Sequence, residues 1–332
     1  MLTHRGPGPT LSDDSEAPVA SHGSERLPLR PRTPLSGGLP IRAPPPEDLT
    51  LDPIIHNIDP FLFRIGESFG VRWYSLPYIL GMVLVWLSLR KAGRDRSMPG
   101  MTDERAESFV LLAIVGALVG ARFFHVFIFE YDRYGFQPLD WIAVWRGGLA
   151  FHGGLAGILL ATWWFSRKHG IPIYTLTDRI AVPVAVALGL GRIANFINAE
   201  MYGTPYDGPF CVDYSQNQYM ARPPEGCRHP VQLYESAKNF GMAGLLFLVR
   251  ERIKPPPGVL TWSFVGLYGI IRFLLMYLRE ERTVWMDLTL SQIFSGIMGV
   301  LGIVMLVVVL KSGASGPGES SPHRTRPRKR KA

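Results

Sequence analysis

Cysteine is scarce in this sequence, since its 332 residues include only Cys211 and Cys227. The two are too far apart for a Cys-x-x-Cys pair, and the chain has no cluster of carboxylates, so no metal-binding pattern stands out. We therefore expect neither a metal nor a cofactor. Both cysteines fall in one predicted loop, where they would pair in an oxidising compartment or remain two free thiols. The sequence leaves that choice open.

Charged residues are nearly missing from several long stretches, although the whole chain has an ordinary 47% of hydrophobic residues and a mean hydropathy of only +0.12. A helix needs about 20 apolar residues to cross a bilayer core, and shorter pieces are tolerated. The candidate spans are roughly 74–90, 108–129, 149–166, 180–198, 233–250, 259–278 and 289–310. We therefore predict an all-α fold, a polytopic transmembrane bundle of about seven spans. The fifth span is the weakest, because it contains Glu235, Lys238 and Asn239.

The two ends of the chain lack such stretches. Residues 1–47 are rich in Pro, Gly and Ser without apolar periodicity, so we predict a disordered extension, and they do not show the pattern of a signal peptide. Residues 48–310 form the predicted transmembrane domain, which starts with an interfacial arm at 48–72. Residues 311–332 carry seven basic residues and one acid directly after an apolar run. The net charge of +8 therefore favours anionic membrane lipids, and not nucleic acid, as a partner.

Basic residues are distributed unequally between the loops. The loops that would share one side with the C-terminus carry, together with the tail, 18 lysines and arginines, against six on the other side. Short cytoplasmic loops usually hold the excess of basic residues. We therefore predict a cytoplasmic C-terminus and, for an odd number of spans, an N-terminus outside. The arm and the outer loops would form a small periplasmic head.

Most predicted spans also carry polar side chains near their outer ends. They are Arg122 and His125 in span two, His152 at the start of span three, Arg192, Asn195 and Asn198 late in span four, Glu200 at its exit, Glu235 at the start of span five, and Tyr268, Arg272 and Arg279 in span six. Ionisable groups inside a membrane are costly and are functional candidates by default. Their convergence on one side predicts a single polar cavity that opens toward the outer half of the bilayer.

Helical spacing places several of these residues on common faces. Arg192 and Asn195 are three residues apart and are therefore neighbours on span four. One stripe on span six consists of Tyr268, Arg272, Met276 and Arg279. Arginines that face a cavity in lipid need an anion, and a lipid phosphate fits the paired donors of guanidinium. Ordinary roles also stay open: Arg122 as a structural residue, His125 as a packing residue and Arg279 as an interface anchor.

One long segment, Gly191–Gly203, resembles the signature of the prolipoprotein diacylglyceryl transferases. Further segments resemble motifs of the same family in the same order: Leu51-Asp52-Pro53, Arg72-Trp73-Tyr74, Gly120-Ala121-Arg122, Phe151–Gly154, His229–Glu235, Gly266–Phe273 with Arg279, and Ser291-Gln292. The likeness covers about residues 50–310 and leaves both tails outside it.

The resemblance implies an activity and its partners. The family moves the diacylglyceryl group of phosphatidylglycerol onto the lipobox cysteine in the signal peptide of a preprolipoprotein. A thioether forms and glycerol phosphate leaves. The implied partners are phosphatidylglycerol, such signal peptides and membrane lipids, with no nucleic acid. The implied location is the bacterial cytoplasmic (inner) membrane, with the site facing its periplasmic half.

Residue roles follow from the resemblance together with the polar pattern. The expected catalytic residues are His152, Arg192, Arg272 and Tyr268. The expected substrate-binding residues are Tyr74, Arg122, Asn195, Asn198, Glu200, Gly203, Glu235 and Arg279, and Asp178 is a weaker candidate. In this hypothesis His152 takes the proton of the thiol, with Tyr268 as the rival base, and the arginines stabilise the leaving phosphate. Asn195 and Glu200 would hold an arginine or the glycerol head group by hydrogen bonds.

The sequence departs from the family pattern at one position of the polar stripe. Many members read Arg-Phe-x-x-Glu in the sixth helix, whereas Met276 occupies the position of that Glu. Three explanations are open. A nearby acid, Glu235 or Glu200, substitutes for it; that Glu is dispensable; or the chain is a catalytically weakened paralogue that still binds lipoprotein precursors.

Two other classes of protein compete with the transferase interpretation. A transporter or lipid-binding carrier also has a polar cavity in the membrane, but such proteins usually contain an internal repeat, and none is clear in this sequence. An intramembrane protease needs a Ser/His pair or two aspartates within its spans. His152 has no obvious Ser motif, and Asp is nearly absent from the predicted spans, so the protease ranks low.

Overall fold

The structure, a computed structural model, describes residues 52–65, 69–131, 138–144 and 147–314. Most of this described chain is helical. Its seven long helices are α1 (Ser75–Arg94), α2 (Asp103–Phe124), α3 (Phe151–His169), α4 (Ile173–Ile197), α5 (Val231–Leu248), α6 (Val259–Leu275) and α7 (Leu290–Ala314). The predicted disordered extension and the basic tail from residue 315 lie outside the described residues.

Within the described residues, five helices are long and apolar enough to cross a membrane: α1, α2 with the π-helical turn His125–Phe129 that continues it, α4, α6 and α7. The helix α3 is less apolar because it ends in Arg167, Lys168 and His169, and α5 because it carries Glu235 and Lys238. The chain is therefore a mostly helical membrane protein, while seven as the number of spans stays a prediction.

The helix α4 begins well before the predicted start at residue 180, because the structure provides partners for the carboxylate of Asp178. That carboxylate accepts hydrogen bonds from the backbone N–H groups of Gly258 and Thr261, at 2.7 and 2.8 Å. These N–H groups belong to the first turn of α6, where no intrahelical acceptor exists. Asp178, the weaker functional candidate, thus stabilises the start of α6.

Glycines let two pairs of helices pack closely. A Cβ on Gly157 of α3 would overlap the carbonyl oxygen of Gly116 on α2, and a Cβ on Gly302 of α7 would overlap the backbone of Gly266 on α6. Small residues at such contacts are typical of helix pairs in membranes, where close van der Waals packing takes the place of the hydrophobic effect.

Short strands connect the helices at the end of the bundle where α1, α3, α5 and α7 begin. They are β1 (Ile54–Ile55), β2 (Phe61–Ile65), β3 (Phe69–Arg72), β4 (Val212–Asp213), β5 (Cys227–Arg228), β6 (Thr283–Trp285) and β7 (Leu288–Thr289). The strand β4 pairs with β1 in parallel and with β5 antiparallel, and β2–β3 and β6–β7 form two hairpins. We name this end, with residues 52–65, 69–73, 198–230 and 279–289, the head end. The sequence predicted a head region but not these strands.

A disulfide links Cys211 and Cys227 at the edge of the β4–β5 pair, with the two Cα atoms 5.5 Å apart. The two cysteines are therefore paired, which answers the question that the sequence left open.

The two larger apolar clusters lie away from the head end, which contains a smaller one formed by Ala199, Val212 and Tyr214. One buried cluster lies at the opposite end of the bundle, around Leu89, Phe109, Phe165 and Leu176. A second, around Leu246, joins α4, α5 and α6 at mid-bundle.

Candidate active site

The carboxylate of Glu235 joins three helices near the head end. Glu235 lies in the first turns of α5 and is 2% exposed. Arg192 of α4 places its Nε 3.0 Å from one carboxylate oxygen of Glu235. Arg272 of α6 donates from Nη1 to both oxygens, at 2.9 and 3.1 Å. The structure thus brings together three residues that the sequence predicted for the site.

Lys238 adds a third cation to this group. Its Nζ lies 3.6 Å from the carboxylate of Glu235, and its side chain is only 4% exposed. The same ammonium lies 4.1 Å from the centre of the Tyr268 ring, as in a cation–π contact. We name Arg192, Glu235, Lys238 and Arg272 the ion cluster.

The charges of the ion cluster do not balance. Three cations surround one carboxylate, which leaves a formal excess of two positive charges. Arg279 does not change this sum, because it pairs with Glu281 at 3.2 Å. Buried charge in a low-dielectric medium is costly unless a counter-ion compensates it. The arrangement therefore suits an anion that enters from the membrane.

A second set of hydrogen bonds extends from Arg192 to the head end. The Arg192 Nη1 donates to the side-chain oxygen of Asn195 at 3.3 Å. The Asn195 Nδ2 in turn donates to the Tyr74 hydroxyl at 3.0 Å and to a carboxylate oxygen of Glu200 at 3.1 Å. The backbone oxygen of Glu200 accepts from Gln232 Nε2 at 2.7 Å. The start of α1, the end of α4 and the start of α5 are tied together in this way.

Gly203 occupies a position that no larger residue fits. A Cβ at Gly203 would lie 2.7 Å from the carbonyl oxygens of both His229 and Leu278. The backbone N–H of Gly203 donates to the former carbonyl at 3.0 Å, and the N–H of Thr204 donates to the latter at 2.9 Å. The segment after Glu200 is therefore clamped between the residues that precede α5 and those that follow α6.

Burial affects three polar side chains of the head end, those of Asn198, Tyr214 and His229. Asn198 ends α4, and its Oδ1 is buried without a hydrogen-bond partner in the described part of the chain. Burial raises the pKa of the Tyr214 hydroxyl to about 12, and that hydroxyl accepts a hydrogen bond from Gln232. Burial likewise lowers the pKa of His229, whose ring stacks on Tyr206 with 3.8 Å between centroids.

His152 lies apart from the ion cluster. It is exposed at the start of α3, and its ring is bordered by Phe151, Phe124 and Phe294, with 5.8 Å between its centroid and that of Phe294 on α7. Neither ring nitrogen makes a hydrogen bond to any part of the described chain. A role as base requires the thiol to approach His152 from the lipid side, and it stays a prediction.

The guanidinium of Arg122 donates hydrogen bonds to backbone carbonyls. It is 3% exposed and donates from Nε to the carbonyl of Trp141 at 3.1 Å, and from Nη1 to those of Gly147 and Gly148 at 2.6 and 3.2 Å. These bonds hold the connection between α2 and α3 and fit the structural role left open by the sequence. Substrate binding by Arg122 stays a prediction that these contacts do not favour.

Met276 is 1% exposed at the end of α6. The acid that the family pattern would place there is absent, and Glu235 is the carboxylate that binds Arg272. Glu235 also belongs to the His229–Glu235 segment that resembles the family, so this contact does not decide among the three explanations.

Sequence reasoning missed two residues of this site. In the sequence Lys238 only weakens the fifth span, although it lies three residues after Glu235 and so shares its helix face. Gln232 stands out in the sequence only as part of the His229–Glu235 segment. The three-residue spacing from Glu235 is the signal that identifies Lys238.

A bundle of helices long and apolar enough to cross a membrane indicates an integral membrane protein, and its buried cluster carries a net positive charge. A family model described as prolipoprotein diacylglyceryl transferase matches residues 60–308. The chain belongs to this family.

Several relatives carry the name phosphatidylglycerol–prolipoprotein diacylglyceryl transferase. The chain is 35% identical to that of Geobacter sulfurreducens over 257 residues, which cover 76% of this chain and 96% of the relative. It is 39% identical to that of Ruegeria pomeroyi over 238 residues, 68% of this chain and 81% of the relative. It is 36% identical to that of Vibrio cholerae over 266 residues, 77% of this chain and 93% of the relative.

Proposed function

We propose that the chain is a transferase that moves the diacylglyceryl group of phosphatidylglycerol onto the lipobox cysteine of a preprolipoprotein, the first step of lipoprotein maturation. The observation that carries this function is the ion cluster, a buried excess of positive charge inside a membrane bundle. Phosphatidylglycerol supplies a phosphate of the required charge, and the relatives are named for this lipid and for prolipoprotein.

The chemistry is a displacement at carbon. The cysteine sulfur, as thiolate, attacks the glycerol carbon that bears the phosphate ester, a C–S bond forms, and the C–O bond breaks. The electron pair of the broken bond leaves with glycerol phosphate. A thiol with an ordinary pKa of about 8.5 must first lose its proton to a base. His152 is our candidate base and Tyr268 its rival, while Arg192 and Arg272 stabilise the leaving phosphate.

Positioning is the role that we propose for the hydrogen-bond chain behind Arg192. Asn195 accepts from Arg192, while Tyr74 and Glu200 both accept from Asn195. A guanidinium fixed in direction stabilises developing negative charge better than a mobile one, because no reorganisation is needed during the reaction. Asn198, Gly203 and Arg279 would form the outer wall against the glycerol head group.

For the topology, we propose seven spans with the head end in the periplasm and the C-terminus in the cytoplasm of a bacterial inner membrane. The disulfide between Cys211 and Cys227 supports this orientation, since disulfides persist in oxidising compartments. The excess of basic residues in the opposite loops supports it as well. Residues 48–310 would be the catalytic domain, and removal of the tail at 311–332 should leave activity largely intact.

A direct assay tests the function. The purified protein is mixed in detergent with phosphatidylglycerol and a lipobox peptide, and mass spectrometry looks for a diacylglyceryl adduct. We expect an adduct that is lost when the peptide cysteine becomes serine. The Arg192→Ala variant should give none, whereas Arg252→Ala, an exposed arginine at the other end of the bundle, should be unaffected.

The alternative is a weakened paralogue, or a lipid-binding carrier, which the loss of the acid at Met276 would favour. Absence of adduct from a folded protein, with the Geobacter sulfurreducens relative active in parallel, would support that alternative. Activity of the Arg192→Ala variant at near wild-type rate would contradict the assigned site instead.

A further inference from the structure

Lys238 has unused hydrogen-bonding capacity in a buried place. An ammonium has three N–H donors. In the described part of the chain its nitrogen is fully buried without a hydrogen-bond partner, and the carboxylate of Glu235 lies at 3.6 Å, beyond hydrogen-bond reach. The face of the Tyr268 ring lies on one side of it at 4.1 Å. The donors of Lys238 are therefore available to a ligand that enters the ion cluster.

The two arginines already satisfy Glu235. Arg192 contacts one of its oxygens at 3.0 Å, and Arg272 contacts both. Lys238 is thus a cation in excess of what the carboxylate needs. In a membrane such an excess is stable only with an anion nearby, since the bilayer offers no water to screen it.

We propose that Lys238 is a substrate-binding residue that donates a hydrogen bond to the phosphate of the lipid. It also stabilises the second negative charge that this phosphate acquires when the C–O bond breaks. This inference rests on the proposed function. The phosphodiester of the lipid carries one negative charge. When its C–O bond breaks, the electron pair stays on oxygen and the leaving phosphate monoester carries two, while the thiol proton goes to the base.

The charge of the ion cluster matches the product better than the substrate. Its formal excess of two positive charges equals the charge of the leaving monoester, whereas the bound lipid would leave one of them uncompensated. Interactions that grow as the bond breaks lower the barrier, and those already complete with the substrate do not. Lys238 therefore acts on turnover more than on lipid binding.

The test compares Lys238→Met, which keeps an unbranched side chain one atom shorter and removes the charge, with Lys238→Arg. Turnover and KM for phosphatidylglycerol are measured separately, together with inhibition by glycerol phosphate. For Lys238→Met we expect turnover to fall about 100-fold, as when one fixed donor to a developing anion is lost, with KM changed less than about threefold. Inhibition by glycerol phosphate should weaken, and Lys238→Arg should recover most of the turnover.

Stability separates this role from a structural one. Because Lys238 is an excess cation, Lys238→Met should keep or raise the thermal midpoint, whereas loss of a structural ion pair would lower it. Lys91→Met, at an exposed lysine of α1, is the matched control and should change neither turnover nor stability.

Each outcome bears on the inference. Wild-type turnover in Lys238→Met, or an effect confined to KM, would overturn it and leave the proposed function standing. A folded wild-type protein that forms no adduct, beside an active relative, would overturn the proposed function and this inference together. A Lys238→Met protein that unfolds, while Lys238→Arg is folded and fully active, would show that the charge is structural.

Discussion

Arg272 and Glu235 form a two-oxygen contact across α5 and α6, in which one guanidinium nitrogen lies 2.9 and 3.1 Å from the two carboxylate oxygens. Glu235 also contacts Arg192, and it is the only carboxylate among the four residues of the ion cluster. Its removal would leave three cations facing one another. This relationship makes Glu235, more than either arginine, the residue that holds the site together.

We therefore expect Glu235→Gln to lower the free energy of unfolding by about 3–5 kcal/mol, the usual effect of breaking a buried pair. Diacylglyceryl transfer should be lost as well, since the arginines would separate. Thermal unfolding in detergent and the adduct assay measure the two effects. Glu251→Gln, which removes an exposed partner of Arg250, is the control and should change neither. A stable, active Glu235→Gln protein would contradict the central place of this carboxylate.

The hydroxyl of Tyr74 positions Asn195, which in turn contacts Arg192. In Tyr74→Phe one hydrogen bond is lost, which costs about 1 kcal/mol of stability, while Asn195 keeps its bond to Glu200. We expect a fall in turnover of about fivefold with little change in KM, because a loss of about 1 kcal/mol of transition-state stabilisation corresponds to that factor. Tyr277→Phe, at an exposed tyrosine near the end of α6, should leave turnover and KM unchanged. An unchanged rate in Tyr74→Phe would remove Tyr74 from the site.

Gly203 should not tolerate alanine. The new methyl would meet two backbone carbonyls at 2.7 Å, neither of which moves without the adjoining helix. Overpacking of this kind costs about 1–3 kcal/mol, and it would push the segment after Glu200 out of place. We expect Gly203→Ala to lose transfer activity and some thermal stability. Gly244→Ala in α5, where a Cβ meets only open space, should keep both. If Gly203→Ala kept activity and thermal stability as Gly244→Ala does, the close packing around Gly203 would not be needed for either.

Much of this site could be predicted from the sequence, because charged residues are costly inside a membrane and are therefore conspicuous within apolar stretches. Arg192 and Arg272 stand out in apolar stretches, and the structure joins both to Glu235. Spacing along one helix also placed Asn195 beside Arg192 correctly.

Contacts between distant segments could not be predicted in the same way. The parallel pairing of Ile54 with Val212 brings together residues far apart in sequence, and strands of two residues carry no periodic signal. The sequence does not show whether the guanidinium of Arg122 binds a ligand or the carbonyls of Gly147 and Gly148. Only the fold distinguishes the two.

His56 attaches the N-terminal arm to the end of α4. One ring nitrogen lies 2.7 Å from the carbonyl oxygen of Phe196 and the other 2.8 Å from Asn217 Nδ2, and burial lowers the pKa of His56 below its ordinary 6.5. The unfolded chain therefore binds a proton more readily than the folded one, so stability is lost as the pH falls below about 6.5. We expect faster hydrogen exchange of residues 52–60 at pH 5 than at pH 7.5, after correction for intrinsic rates. His56→Gln should lose this pH dependence, and persistence of the dependence in that variant would assign it to another group.

Because the chain contains only two cysteines, both at the head end, its topology can be read with thiol reagents. Bacterial spheroplasts that express the protein are treated with a membrane-impermeant reductant and then with an impermeant maleimide. If the head end faces the periplasm, Cys211 and Cys227 should be labelled only after reduction, because they are paired in the native protein. A variant with both cysteines replaced by serine is the blank, and lysed spheroplasts give the maximum signal. Labelling of intact spheroplasts without reduction would contradict the disulfide. Labelling only after lysis would contradict the proposed orientation, since a cytoplasmic head would hold free thiols behind the membrane.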